Sequence, residues 1–381
     1  MENFLKDRKS LLFLLAVGNS IAFATWQVLL NNFVVERAAF TGEEIGLLQS
    51  LREVPGFLAF TAIGILIFIR QQSFAILSLI TLGIGTAITA FFPTALWLYF
   101  TTVLMSFGFH YLEAMHNALS LQWLEKDEAP KVLGQLLSIR AISNLLVLGS
   151  IYLYLIFFPT NYMFIYLSAG GLTVLLGIFC WRAVPKFEVS VAQRTELFLR
   201  KKYWLYYLLT FLAGARRQIF VVFAGFLMVE KFGFDVENVV MLTLVNAVLT
   251  FWLAPKIGSL IGYIGERRAL TLEYLGLILI FMSYAFVNSA AVAVALYLLD
   301  HIFFAMAIAI KTYFQKIADP ADIAATSSIS FTINHIAAVV LPAARGLIWV
   351  INHSVVFFVA AGIAAFSLGL AQLIPDNPKE N

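Results

Sequence analysis

Twelve apolar runs, each of about 20 residues or more, limit what this chain can become: 11–34, 45–69, 73–92, 95–119, 132–157, 162–181, 203–228, 239–261, 269–287, 290–313, 323–349 and 355–373. In hydrocarbon every backbone N–H and C=O must find a partner within the protein. Runs of this length read as membrane-spanning helices. The breaks hold turn formers or charges, as at Pro93-Thr94, Pro159-Thr160-Asn161 and Asn288-Ser289. Apolar residues make up 61% of the chain and charged residues 12%, which predicts an all-α integral membrane protein and leaves no basis for nucleic-acid binding. A lone cysteine, Cys180, excludes an intramolecular disulfide and a thiolate metal cluster. The basic start leads into a span too long for a cleavable signal peptide and without a small-residue cleavage site.

Basic residues set the expected orientation. Lys6, Arg8, Lys9, Arg70, Lys126, Lys131, the group from Arg182 to Lys202, Lys256, Arg267, Arg268, Lys316 and Lys379 fall on one side. Arg37, Lys231 and Arg345 fall on the other. This asymmetry predicts cytoplasmic N- and C-termini and an even number of spans; the membrane expected for this multi-pass protein is a bacterial inner membrane.

Residues 182–202 form the longest polar stretch and lie close to the midpoint of the chain. They predict an N-terminal tail (1–10), a first six-helix bundle (11–181), a cytoplasmic linker (182–202), a second six-helix bundle (203–373) and a C-terminal tail (374–381). The halves show weak internal likeness, with Val34–Ile45 against Met228–Val239 sharing four of twelve positions just after the first span of each half. Between spans eight and nine, Gly258, Gly265, Arg267 and Arg268 match the spacing of a loop signature Gly-x-x-x-Asp-Arg-x-Gly-x-Arg-Arg, with Gly262 and Tyr263 in place of its acid and base. On this plan and signature the chain resembles the major facilitator superfamily. Span five reads LLVLGSIYLYLIFF and lacks the Gly-Pro-rich signature of that family's drug antiporters. The resemblance implies two pseudo-symmetric six-helix bundles around a cavity that opens alternately to each side, lined by spans one, four, seven and ten.

The polar residues within the spans are then the candidate site. A charge at the bilayer centre costs roughly 3 kcal/mol on insertion scales, so charges kept there line a pathway or meet a partner. Span four carries Ser106, His110, Glu113 and Asn117 at helical spacing, with His116 off that stripe. Glu113 and Arg140 of span five both lie about 15 Å from the basic end of their helices and can pair, as a static brace or a breakable gate. His110, Glu113 and His116 could also be read as metal ligands, although a proton-titrating role needs the same residue types.

In the second half Arg217, Asp300 and His335 fall about 20–24 Å from the basic ends of their helices, near the midplane. Arg217 either binds an anionic group or pairs with Asp300; Arg216, its neighbour, is a second binding candidate or the partner of another helix. Asn19, Phe23, Trp26 and Gln27 would form the polar and aromatic stripe of span one. Arg52 and Glu53 are adjacent and so are expected on different faces, making gating contacts or a local network. Glu273 is expected to brace the loop at Arg267 and Arg268.

The resulting expectation is a proton-coupled secondary transporter, monomeric and without cofactor, for a small polar and anionic organic solute. Arg217, Arg216, Asn19, Trp26, Gln27, Asn117 and His335 would meet the solute. Glu113 and Asp300, tuned by His110, His301 and His335, would carry protons; Arg140, Arg52 and Glu53 would pair or gate. A proton-coupled exporter of lipophilic compounds or metal chelates is the alternative. An intramembrane enzyme or a transport-dead receptor would want a catalytic grouping or an extramembrane domain, and neither is evident; there is also no Gly-x-x-x-x-Gly-Lys-Ser/Thr loop for ATP.

Overall fold

The computed structural model describes residues 6–376 apart from 41, 159, 189–190, 195, 197–198, 220–223, 235 and 337–352. All regular structure among the described residues is helical. The first six spans are α1 (Arg8–Ala38), α2 (Gly42–Phe57, a 3₁₀ turn over Leu58–Thr61, then Ala62–Ile65), α3 (Gln71–Ala87), α4 (Ala95–Trp123), α5 (Ala129–Phe157) and α6 (Tyr162–Ala183). The other six are α7 (Trp204–Ile219 and Gly225–Phe232), α8 (Val236–Ile264), α9 (Glu266–Phe286), α10 (Ala290–Phe304, a turn over Ala305–Ala307, then Ile308–Ile317), α11 (323–336) and α12 (His353–Ala371). Arg345, Lys379, the second half of the eleventh run and the end of the C-terminal tail lie outside the described residues.

Eight of these spans are long and apolar enough on their own to cross a membrane. The other four are α3, which is shorter, α7 and α11, which border residues outside the description, and α2, which is broken. The 3₁₀ turn of α2 comes three residues after Pro55, which is buried inside the first segment. Proline has no N–H for the carbonyl four residues back, and its ring crowds the preceding turn. In that turn the Arg52 carbonyl accepts a hydrogen bond from the Ser106 hydroxyl of α4. Tyr111, also on α4, donates to the Leu58 carbonyl at 3.2 Å, beside the 3₁₀ turn.

The described residues fall into two compact units. The first comprises Met1–Trp123, Ile139–Phe198 and Pro320–Thr332; the second comprises Leu124–Ser138, Leu199–Asp319 and Ile333–Asn381. In the first unit α3 packs against both α4 and α6 and buries Phe74, Ala75, Leu79 and Leu82. Part of the polar linker is fastened within this unit. Arg194 meets Asp322 at 2.7 Å, and the Gln193 side chain accepts from the Ala324 N–H at 2.9 Å, capping the first turn of α11. In the second unit α9 and α12 pack along their length, with Tyr284 stacked on Phe357 at 5.0 Å.

Two positions in the second unit require glycine for a backbone approach. A Cβ on Gly134 of α5 would sit 2.3 Å from the Ala254 carbonyl oxygen, and one on Gly258 of α8 would sit 2.2 Å from the Pro130 carbonyl oxygen. Ser138 donates to the Phe251 carbonyl at 2.7 Å on the same seam. Small residues let membrane helices approach this closely, and van der Waals packing then holds them. Gly258 therefore belongs to a helix crossing and not to a loop. The loop expected over 262–268 contracts to Gly265, whose φ of +82° is open to glycine, because α8 runs to Ile264 and α9 begins at Glu266.

Gly134→Leu or Gly258→Leu should each force α5 and α8 apart and lower stability by about 1–3 kcal/mol. Gly262→Leu, at an exposed position where a Cβ meets only the Pro130 ring at 3.9 Å, should leave the thermal unfolding transition near wild type. Equal transitions for all three would refute the close crossing.

Candidate functional site

In the first unit the structure brings three helices together around one guanidinium. Arg140 of α5 contacts Glu113 of α4 at 2.7 Å and His116 Nδ1 of α4 at 3.2 Å. The second nitrogen of His116 lies 2.9 Å from the Leu12 carbonyl of α1. A carbonyl only accepts, so Nε2 carries the proton and Nδ1 accepts from Arg140; His116 is neutral in this arrangement. Asn19 of α1 donates its side-chain amide to Glu113 at 2.5 Å. Arg140 and Glu113 side chains are 26% and 18% exposed, so the pair is shielded but not sealed. Equal depth on adjacent helices pointed to Glu113 and Arg140; His116 and Asn19 join them because α1 packs against α4.

Two turns from Glu113 along α4, Ser106 links α2 to His110. Its hydroxyl donates to the Arg52 carbonyl and lies 2.8 Å from His110 Nδ1. The ring of His110 meets Phe109 and Phe331 edge to face. Adjacent Arg52 and Glu53 pair with each other, Nη2 to Oε1 at 2.5 Å. Their Cα–Cβ vectors diverge by about 100°, but the long side chains fold back on each other, which fits the local network of the two readings. His110, Glu113 and His116 do not converge as metal ligands: His110 turns to Ser106, while Glu113 and His116 both serve Arg140.

The α1 stripe divides. Asn19 and Trp26 are buried, Gln27 is exposed, and Phe23 stacks on Phe109 at 3.9 Å. The amide oxygens of Asn19 and Asn117 and the indole N–H of Trp26 are buried without a hydrogen-bond partner among the described residues. These are the polar atoms in this part of α1 and α4 that remain open to a further partner.

In the second unit Arg216 of α7 is 1% exposed and contacts α9 and α12. It donates to Ser367 of α12 at 2.5 Å, lies 3.5 Å from Glu273 of α9 and sits over the Tyr274 ring at 4.5 Å. This corrects the placement of Glu273 with the Arg267 and Arg268 loop. Glu273 begins two turns beyond Glu266, about 10 Å deeper along α9, out of that loop's reach. The loop has its own partners: Lys316 pairs with Glu266 at 2.7 Å, and Arg267 reaches Asp376 and Gln372. Arg268 is exposed. The depth of an acid within an apolar run was the signal that could have separated Glu273 from the loop.

Asp300 of α10 is 2% exposed and within electrostatic reach of Arg216 and Glu273. It forms no ion pair with Arg217, which is half-buried on the next position of α7. His301 directs Nδ1 to the Tyr297 carbonyl at 3.0 Å, and His335 of α11 is buried. Beside His335, Asn334 donates to the Thr210 carbonyl at 3.3 Å, bridging α11 and α7 over Gly214.

Glu113→Gln or Arg140→Gln alone should leave one charge unbalanced and cost about 3 kcal/mol, lowering the thermal transition. Exchanging the two, with Glu113→Arg and Arg140→Glu together, should recover part of that loss. A double variant no better than the worse single one would show that the pair does not hold α4 to α5.

The comparisons with known proteins agree on the fold. Among solved structures, the chain is similar to the E. coli fucose:proton symporter FucP in its outward conformation, 14% identical over 96% of this chain and 98% of that one, with a TM-score of 0.82. It is similar as well to a bacterial homologue of the iron transporter ferroportin in its outward-facing state, 12% identical over 96% and 98%, with a TM-score of 0.77. No curated protein sequence matches it. The family model of the Major Facilitator Superfamily matches residues 11–342. That match covers most of the chain, and the chain belongs to the major facilitator superfamily of membrane transporters.

Proposed function

We propose that this transporter is a proton-coupled secondary carrier of a small, polar, anionic organic solute. The observation that carries the reading is the network around Glu113, a titratable acid balanced by Arg140 inside a membrane helix bundle. A proton on Glu113 removes the charge that balances Arg140. The bundle then holds an uncompensated guanidinium, which an approaching anion offsets, so proton and anion favour each other's binding. Arg217, half-buried near the midplane of α7, supplies the planar fork that grips a carboxylate or phosphate. Asn19, Trp26 and Asn117 supply hydrogen-bonding atoms that have no partner among the described residues. Proton coupling in FucP, which the chain resembles in fold, is compatible with this reading.

The reading includes termini on the cytoplasmic side, a bacterial inner membrane, two bundles joined at 182–202 and a working monomer. Carriage of lipophilic compounds is the second reading. It draws on an apolar groove of about 430 Å³ beside α1, α5 and α6, lined by Val17, Ile21, Leu146, Val147 and Leu172.

The test is uptake in proteoliposomes under an imposed pH gradient, using a panel of organic carboxylates and phosphates first screened by thermal shift. Arg217→Lys should keep some transport of the responding anion with a raised half-saturation, because the charge survives without the fork. Arg217→Gln should abolish it. Unchanged half-saturation and rate in Arg217→Gln would contradict the anion role and favour the lipophilic reading.

A further inference from the structure

In the second unit, the start of α9 and the end of α12 join a basic pocket to an apolar stripe. The pocket, of about 440 Å³, is lined by Arg267, Arg268, Thr271, Leu272, Leu275 and Gln372. Arg268, Leu272, Leu275 and Leu279 follow one another at steps of four, three and four, so they share one face of α9. Arg268 and all three leucines are exposed. At 1.5 Å per residue the stripe runs about 16 Å from the cation along the apolar length of the helix.

The charges at the head of this stripe are unbalanced. The Arg268 guanidinium has no ion pair or hydrogen bond among the described residues. Arg267 is held loosely, 3.4 Å from Gln372 and 3.5 Å from Asp376, both beyond a normal hydrogen bond. Asp376 is 72% exposed, and a pair so open to water contributes little. Glu266, the other acid at this end of α9, is paired with Lys316 at 2.7 Å. Two guanidiniums therefore face one loosely held carboxylate. The pocket itself is built: the Gln372 amide donates to the Thr271 hydroxyl at 2.9 Å, and that hydroxyl donates to the Arg267 carbonyl at 2.8 Å, tying the end of α12 to the first turns of α9.

A ligand that matches this surface carries an anion at one end and a hydrocarbon chain at the other. A free phosphate would meet the arginines and leave the leucines unmatched. A zwitterionic headgroup would bring a further cation to a site that already holds two. We propose that this face of the second unit binds an anionic phospholipid, with its phosphodiester on Arg268 and Arg267 and one acyl chain along Leu272, Leu275 and Leu279. Basic pockets at the cytoplasmic ends of membrane helices recognise such headgroups, and the planar fork of arginine suits a phosphate. Placing the lipid in the cytoplasmic leaflet rests on the orientation proposed above, but the binding itself does not.

Photo-crosslinking of the full-length protein in lipid nanodiscs tests this, using phosphatidylglycerol or phosphatidylcholine with a diazirine in the acyl chain and mass spectrometry of the labelled peptides. Phosphatidylglycerol should label the peptide holding Leu272, Leu275 and Leu279 several-fold more than phosphatidylcholine does. Arg267→Gln with Arg268→Gln should bring that labelling down toward the phosphatidylcholine level, by about fivefold for each cation removed. Lys201→Gln removes an exposed cation outside the pocket and should leave the labelling unchanged. In wild type, which needs no variant to fold, unlabelled phosphatidylglycerol should compete the label away, and inorganic phosphate at matched ionic strength should not. Equal labelling by the two lipids would overturn the proposal. So would an equal loss in Lys201→Gln, which means diffuse attraction to the whole basic side. Loss of label to inorganic phosphate gives the arginines to a free anion and overturns the lipid. Because the readout requires no transport, it can fail while the Arg217 prediction holds, and the reverse.

Discussion

An unpaired charge is nearly intolerable in the apolar interior of a membrane protein, and this constraint organises both units. Arg140 is held by Glu113 and His116 in the first, and Arg216 by Ser367, Glu273 and the Tyr274 ring in the second. In each case the arginine joins at least three helices, so the charge that would otherwise disfavour burial fixes which helices pack together. Such networks stabilise only while every partner keeps its charge. A protein that needs to respond to protons gains from this property, since titrating one acid changes the balance of a whole helix cluster.

Around these polar centres the packing is ordinary for membrane helices. Close backbone approach at Gly134 and Gly258 lets α5 and α8 touch without long side chains between them. The polar linker is likewise tied down, through Arg194 to Asp322 and through Gln193 to the start of α11. A segment that reads as a spacer thus also caps a helix whose first N–H groups would otherwise lack partners.

Much of this was legible from residue order alone. Apolar run length located the helices to within a few residues, and rise per residue put Glu113 level with Arg140. What periodicity could not convey was side-chain reach. Arg52 and Glu53 pair although they are neighbours, and His116 joins the Arg140 network from off the expected stripe. Hydropathy averages over the 3₁₀ turn at Leu58–Thr61 and returns α2 as one continuous span. Glu273 was assigned to the nearest basic loop in sequence, whereas its depth along α9 delivers it to Arg216, which comes from another helix and is invisible to local reading. The single-residue turn at Gly265 was obscured by a loop signature whose glycines serve two different purposes.

The account depends most on proton movement being tied to solute movement through Glu113. Its most direct measurement is the pH inside proteoliposomes, followed with a trapped dye while a responding organic anion is added outside in the absence of any imposed gradient. Wild type should show a change in lumenal pH that tracks solute uptake, and Glu113→Gln should show none. Solute entry with a steady lumenal pH, or an equal pH change in Glu113→Gln, would contradict it.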